Sequence, residues 1–155
     1  MKRRLLFISL SLALLLTAVM PATALAAKPA PFCAAGAITC ISPGDVLPAG
    51  ESGRWRVEER ELRGEFLPGK ADMPVDMTGV FTLTYRANVE LATQAGNLHG
   101  TLQTGAYVFR INGRIQPLEM VQMGPGIYLP KLAINGHWTF VSGARGQGNF
   151  DGWAI

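Results

Sequence analysis

Residues 80–91, VFTLTYRANVEL, alternate without a break. Phe81, Leu83, Tyr85, Ala87, Val89 and Leu91 fall on one face, and Val80, Thr82, Thr84, Arg86, Asn88 and Glu90 on the other. A period of two sustained this long belongs to an antiparallel strand with one buried and one solvated face. Everything downstream reads in the same idiom. TQAGN turns the chain and LHGTLQTGAYVFRI runs back as a second long strand, apolar on both faces from Ala106 to Phe109. Asn112-Gly113 is a hairpin signal, because both residues reach positive φ at low cost. RIQPLEMVQ follows as an edge or bulged strand, since Pro117 cannot donate to a ladder. Met123-Gly124-Pro125-Gly126 turns again, and IYLPKLAI meets a second hairpin signal at Asn135-Gly136 before HWTFVS. The segment GARGQGNFDGWAI closes the chain as a last pair of short strands.

Upstream of this block, RWRVEERELRGEF (54–66) starts with Trp55 and Val57 in phase, and the apolar phase then moves to Leu62 and Phe66. That shift predicts one strand with a bulge, or two short strands, with a helical turn over 58–62 as the competitor. Its charges alternate in sign, the pattern of a solvated strand face that resists edge-to-edge association. Residues 67–79 hold Pro68, Gly69, Pro74 and Gly79 and read as a loop, in which Asp72 and Asp76 alone fall short of the six to eight oxygens a calcium ion takes. The expected fold is all-β: a single antiparallel barrel of about eight strands spanning 54–155, with no helix.

The N-terminus is read as an address. Lys2-Arg3-Arg4 precedes an apolar run from Leu5 to Val19, Pro21 breaks it, and Ala24-Leu25-Ala26 offers a small-x-small cleavage site. This is the layout of a secretory signal peptide over 1–26, and its core is shorter than the roughly 20 residues of a membrane span. The mature chain is thus expected to be exported, without a transmembrane span. Residues 27–53, rich in proline and glycine, read as an irregular leader. In an oxidising compartment Cys33 and Cys40 are expected to bridge and pin that leader, because two cysteines this close form neither C-x-x-C nor a full metal-ligand set.

Composition narrows the function. The 155 residues are 48% hydrophobic and 16% charged, which suits a packed domain rather than a disordered chain. The formal charge of +3 rests on Lys2, Arg3 and Arg4 alone, so the remainder is neutral and lacks the basic excess that nucleic acid demands. No Gly-x-Ser-x-Gly elbow occurs, and His99 and His137 sit beside turns without a ligand-like partner. The glycines at 143, 146 and 148 lack the βαβ context of a phosphate loop. No cofactor, metal site or catalytic set is expected.

Residues 143–152, Gly-Ala-Arg-Gly-Gln-Gly-Asn-Phe-Asp-Gly after a Trp-Thr-Phe strand, resemble the glycine-rich closing hairpin of the allene oxide cyclase and dirigent barrels. The resemblance covers about the last 75 residues by strand pattern. It implies an eight-stranded barrel around an apolar cavity, in families of which some members steer cyclisation of a bound reactive substrate and many form trimers. No catalytic residue of either family maps onto this chain.

A small-molecule site needs a few polar groups converging in an apolar pocket. If the Phe81–Leu83–Tyr85 face points inward, Tyr85 is the first candidate, with Tyr107 or Tyr128, or Arg110 and Glu119, as companions; Arg110 and Glu119 serve equally as a structural ion pair. The leading expectation is a non-catalytic exported barrel binding a small apolar molecule or a surface partner. The alternatives are a cyclase-like or dirigent-like enzyme, and a structural envelope protein that associates as a homo-oligomer.

Overall fold

A computed structural model describes residues 28–50, 53–67, 79–105, 107–140 and 144–155. The expected signal peptide and most of the expected 67–79 loop lie outside these residues. Among the described residues nine strands form one sheet: β1 (Ala30–Ser42), β2 (Asp45–Pro48), β3 (Arg54–Phe66), β4 (Val80–Glu90), β5 (Gly96–Thr104), β6 (Tyr107–Ile115), β7 (Glu119–Gly124), β8 (Ile127–Phe140) and β9 (Arg145–Ala154). Seven of them close on themselves in the order β1-β9-β8-β6-β5-β4-β3, and β1 returns to β3. β2 and β7 stand outside the ring, each taking one edge of a long strand that the ring has left free. β2 pairs the first half of β3 while β1 pairs the second; β7 pairs the first half of β8 while β6 pairs the second.

The expectation of a single all-β barrel holds, and its details change. Directions alternate around an antiparallel ring, so an odd ring must contain one pair running the same way. That pair is β1 with β9, from Ala30 opposite Gly146 to Ile38 opposite Ala154. The supposed irregular leader supplies this closing strand, and its prolines and glycines had masked it. Pro31 sits near the start of β1, where a missing donor costs least, and Phe32, Ala34 and Ile38 point inward.

A bridge between Cys33 and Cys40 is overturned by the same observation. Both lie on β1, separated by about 23 Å of extended chain at ~3.3 Å per residue, whereas bridged Cα atoms approach within about 7 Å. Both thiols are free and exposed.

The two Asn-Gly signals also resolve differently. β6 and β8 each run straight through them, and the two glycines face each other across the ladder, Gly113 opposite Gly136. A Cβ on Gly136 would stand 2.6 Å from the Asn112 carbonyl oxygen, so glycine there serves close backbone approach within the barrel wall rather than a turn. The asparagines look outward, and Asn135 Nδ2 donates to Asn149 Oδ1 at 2.6 Å. The actual turn falls at Gly105 (φ 51°), splitting the long return strand into β5 and β6. The chain end, read as two short strands, is the single strand β9.

Inward faces of the ring form one core. At the end where β4 begins and β8 ends, aromatic rings fill it. Phe32 stacks on Trp138 at 4.1 Å, Phe109 meets Phe140 at 4.4 Å, and Phe81 meets Phe66 at 4.5 Å and Phe150 edge-on at 5.4 Å. Burying each such side chain contributes about 1.5–3 kcal/mol, and the paired rings add about 0.5–1.5 kcal/mol per pair. This end is plugged; the opposite one, where β4 ends and β3 begins, is not.

Two outcomes check this description. Gly136→Ala forces a backbone shift and is expected to destabilise the fold by about 1–3 kcal/mol in denaturant unfolding; an unchanged midpoint would contradict the close approach of β6 and β8. A maleimide should label both cysteines in the folded, unreduced protein, whereas an intrachain bridge would leave neither reactive.

Candidate functional site

The open end of the barrel holds a cavity of about 320 Å³. Its walls are apolar: Trp55 and Val57 from β3, Val89 from β4, Ile115 from β6, Leu132 from β8 and Val46 from the outer strand β2. Leu91 and Gln94, from the turn after β4, stand at its rim with Glu90. Two further polar groups line it, the buried Tyr85 and the half-buried Arg60.

How an arginine comes to face the interior follows from one irregularity in β3. Val57 pairs with Ala87 and Arg60 pairs with Tyr85, so three steps on β3 match two on β4. The extra residue forms a β-bulge, and Glu59 adopts φ 53°, in the left-handed region that non-glycine residues occupy at a cost of about 1–2 kcal/mol. The bulge reverses the strand's phase. Before it Val57 faces in; after it Arg60, Leu62, Gly64 and Phe66 follow the same inward parity. Without the insertion Glu59 and Glu61 would take those inward places.

The β1–β2 connection locks this arrangement from outside. Arg60 Nε donates to the Pro43 carbonyl at 2.9 Å. Gly44 (φ 66°) lies against the bulge so closely that a Cβ would collide with the Glu58 carbonyl oxygen. Arg60 and Tyr85 line the same cavity and interact there. Burial raises the Tyr85 phenol above its ordinary value of 10.0, and the charge and hydrogen bond of Arg60 act against that rise. Cys40 stands close enough to add a small upward push. Tyr85 therefore stays a neutral phenol at physiological pH, able to donate and accept.

Among the described residues, no carboxylate lies within 4.0 Å of the Arg60 guanidinium; the ion pairs there are Arg56–Glu58 at 3.3 Å and Lys131–Glu119 at 2.7 Å. Glu90, at the rim, is exposed and accepts a hydrogen bond from Thr93. Below the rim the cavity thus presents a cation and a phenol in an apolar wall.

The five ligand-binding candidates from the sequence scatter. Tyr85 lies in the cavity. Tyr107 is exposed at the plugged end, beside the β5–β6 turn. Arg110 lies on the outer face of the wall, where it lines a shallow depression with His99, Arg86 and Glu59. Glu119, on β7, binds Lys131, and its hydrogen bond raises the lysine's pKa. Tyr128 is exposed on the β7–β8 hairpin.

Arg60 was passed over as one of a run of solvated charges. The signal that finds it is parity: Val57 and Leu62, both apolar and five apart, share a face only if one residue is inserted, which puts Arg60 on that face too. Among the described residues no group of three or more His, Cys, Asp or Glu could hold a metal ion, and no helix is long and apolar enough to cross a membrane. No family model, curated protein or solved structure matches the chain.

The buried phenol makes alkaline stability a test of this geometry. Because its folded pKa is raised, Tyr85 contributes stability that is complete below about 10 and is lost as pH climbs through the folded value. Melting temperature measured into the alkaline range should fall less steeply in Tyr85→Phe than in the wild type. Parallel curves would show that the phenol is not buried.

Proposed function

We propose that the protein is an exported, non-catalytic barrel that binds a small apolar molecule in its open end. The observation that carries this reading is the asymmetry of the interior: one end is packed with aromatic rings and the other holds an apolar cavity of about 320 Å³ with a buried phenol. That volume lies within the range of small-molecule sites, which combine apolar walls with a few placed polar groups. The walls come from several strands of a closed sheet, so the pocket is largely formed before a ligand arrives, and little ordering cost attaches to binding. The resemblance of residues 143–152 to the allene oxide cyclase and dirigent barrels points the same way, since those families hold small substrates in apolar barrels. Binding ranks ahead of catalysis because, among the described residues, the lining beside Tyr85 and Arg60 is apolar apart from Glu90 and Gln94 at the rim. The export address at 1–26 would place this binding outside the cytoplasm.

Filling the cavity tests the reading. Octanol, titrated calorimetrically into the mature protein, is expected to bind in a single-site transition and to alter Trp55 fluorescence. Val89→Trp, at the half-buried inward end of β4, should abolish that binding while the protein still unfolds cooperatively. Octanol binding that survives the substitution, or no binding to the wild type by octanol or its carboxylic-acid counterpart, would rule the open end out as a site.

A further inference from the structure

We infer that the open end selects carboxylic acids: its ligand is a monocarboxylic acid with a compact apolar body, held with its carboxylate on the Arg60 guanidinium and the Tyr85 hydroxyl and its body among Trp55, Val89 and Leu132. This rests on the binding reading above and adds the ligand's chemical class.

Three features on β3 and its neighbours lead there. The first is placement. A strand with four glutamates between 58 and 65 turns an arginine, not a glutamate, into the barrel, and does so with a bulge and a left-handed Glu59. Local backbone strain of this kind persists where the surrounding structure enforces it, and clusters at binding sites. The second is the unspent capacity of the guanidinium. Pro43 takes Nε and Tyr85 lies close enough to feel the arginine's charge and hydrogen bond, but no described carboxylate stands within 4.0 Å to balance the charge. A planar fork of donors in that state matches a carboxylate, which accepts two parallel bonds. The third is orientation. Gly44 packs on the backbone of the bulge and the Pro43 carbonyl takes Nε, while the arginine itself lines the cavity. Tyr85 adds a hydroxyl that, as a neutral phenol, donates to the same anion.

The mouth favours this traffic. Beside the apolar cavity lies a more polar opening lined by Arg54, Arg114, Asn88, Asn97 and Glu90. Its two arginines outnumber its one glutamate, so an approaching anion meets a net positive rim. A cationic ligand would meet Arg60 inside the cavity with Glu90 only at the rim, and a neutral alcohol would use one donor where an acid uses two. The body must be compact because about 320 Å³ admits a medium-length chain or a single ring system rather than a long lipid.

Calorimetric titration with octanoate, octanol and octylamine separates the possibilities. The wild type is expected to bind octanoate roughly ten- to a hundredfold more tightly than octanol, the range of a charge-assisted hydrogen-bonded pair, and octylamine most weakly. Arg60→Gln keeps a donor near the Nε position but removes the charge and the terminal fork, and should bring octanoate to parity with octanol while leaving octanol affinity within a few-fold. Tyr85→Phe removes only the hydroxyl and should cost octanoate several-fold more than octanol. If Arg60→Gln fails to fold, the wild-type ranking of the three probes and the Tyr85→Phe result still decide. Octanoate and octanol binding equally well to the wild type would overturn the acid-selective site while leaving the cavity intact as an apolar one. Loss of all three probes in Val89→Trp, with acid preference in the wild type, supports it; acid preference that persists in Val89→Trp places the acid elsewhere and overturns it.

Discussion

Closure by β1 is the constraint on which the structure rests. An open sheet of this length would expose two edges of unpaired N–H and C=O groups, and a curled sheet would lose its interior. β1 joins the two edges, its residues 30–38 pairing with β9 and its residues 36–42 pairing with β3. Its last backbone links run to the chain's end, where the Ile155 amide donates to the Ile38 carbonyl at 3.0 Å. Because β1 leaves β3 at Ser42, the first half of β3 is free to accept β2, and the turn between them, Pro43-Gly44, is carried directly over the bulge. The geometry of the site is therefore a consequence of how the ring closes.

The division of the interior follows from the same layout. Inward aromatic residues cluster where β4 starts and where β8 ends, and Phe81 lies over Gly36 and Gly64, which leave its ring the room a side chain would take. The opposite end is bounded by Trp55 and by aliphatic residues, Val46 of the outer strand β2 among them. A barrel of this size is filled or holds one small ligand, and here one end does each. The β7–β8 hairpin carries Met120, Met123, Ile127 and Tyr128 into solvent, beyond the wall it extends.

Much of this was legible in the sequence. The alternation from Val80 to Glu90 survives residue for residue, with Phe81, Leu83, Tyr85 and Ala87 buried. The bulge in β3 and the edge position of the strand after Pro117 also follow from local rules. What local rules could not supply was set by pairing across the barrel. Asn112-Gly113 and Asn135-Gly136 have the chemistry of turns, yet each supplies an inward glycine to a continuous strand, a need visible only when β6 and β8 lie side by side. β1 hid because its alternation is carried by alanine and glycine, whose burial comes from neighbours on both sides rather than from their own size. Arg60 hid among alternating charges because its direction depends on a residue inserted one position before it.

A cavity, a strained bulge and a half-buried cation with no described carboxylate beside it belong to one account: the fold brings a guanidinium to the wall of an apolar cavity and leaves part of it for a ligand. A crystal structure of the protein with a bromine-tailed medium-chain carboxylic acid tests that account most directly. The account predicts the carboxylate within hydrogen-bond distance of Arg60 and Tyr85, with the bromine's anomalous signal among Trp55, Val89 and Leu132. Bromine located only on the barrel's outer face, with the open end holding water, would contradict it.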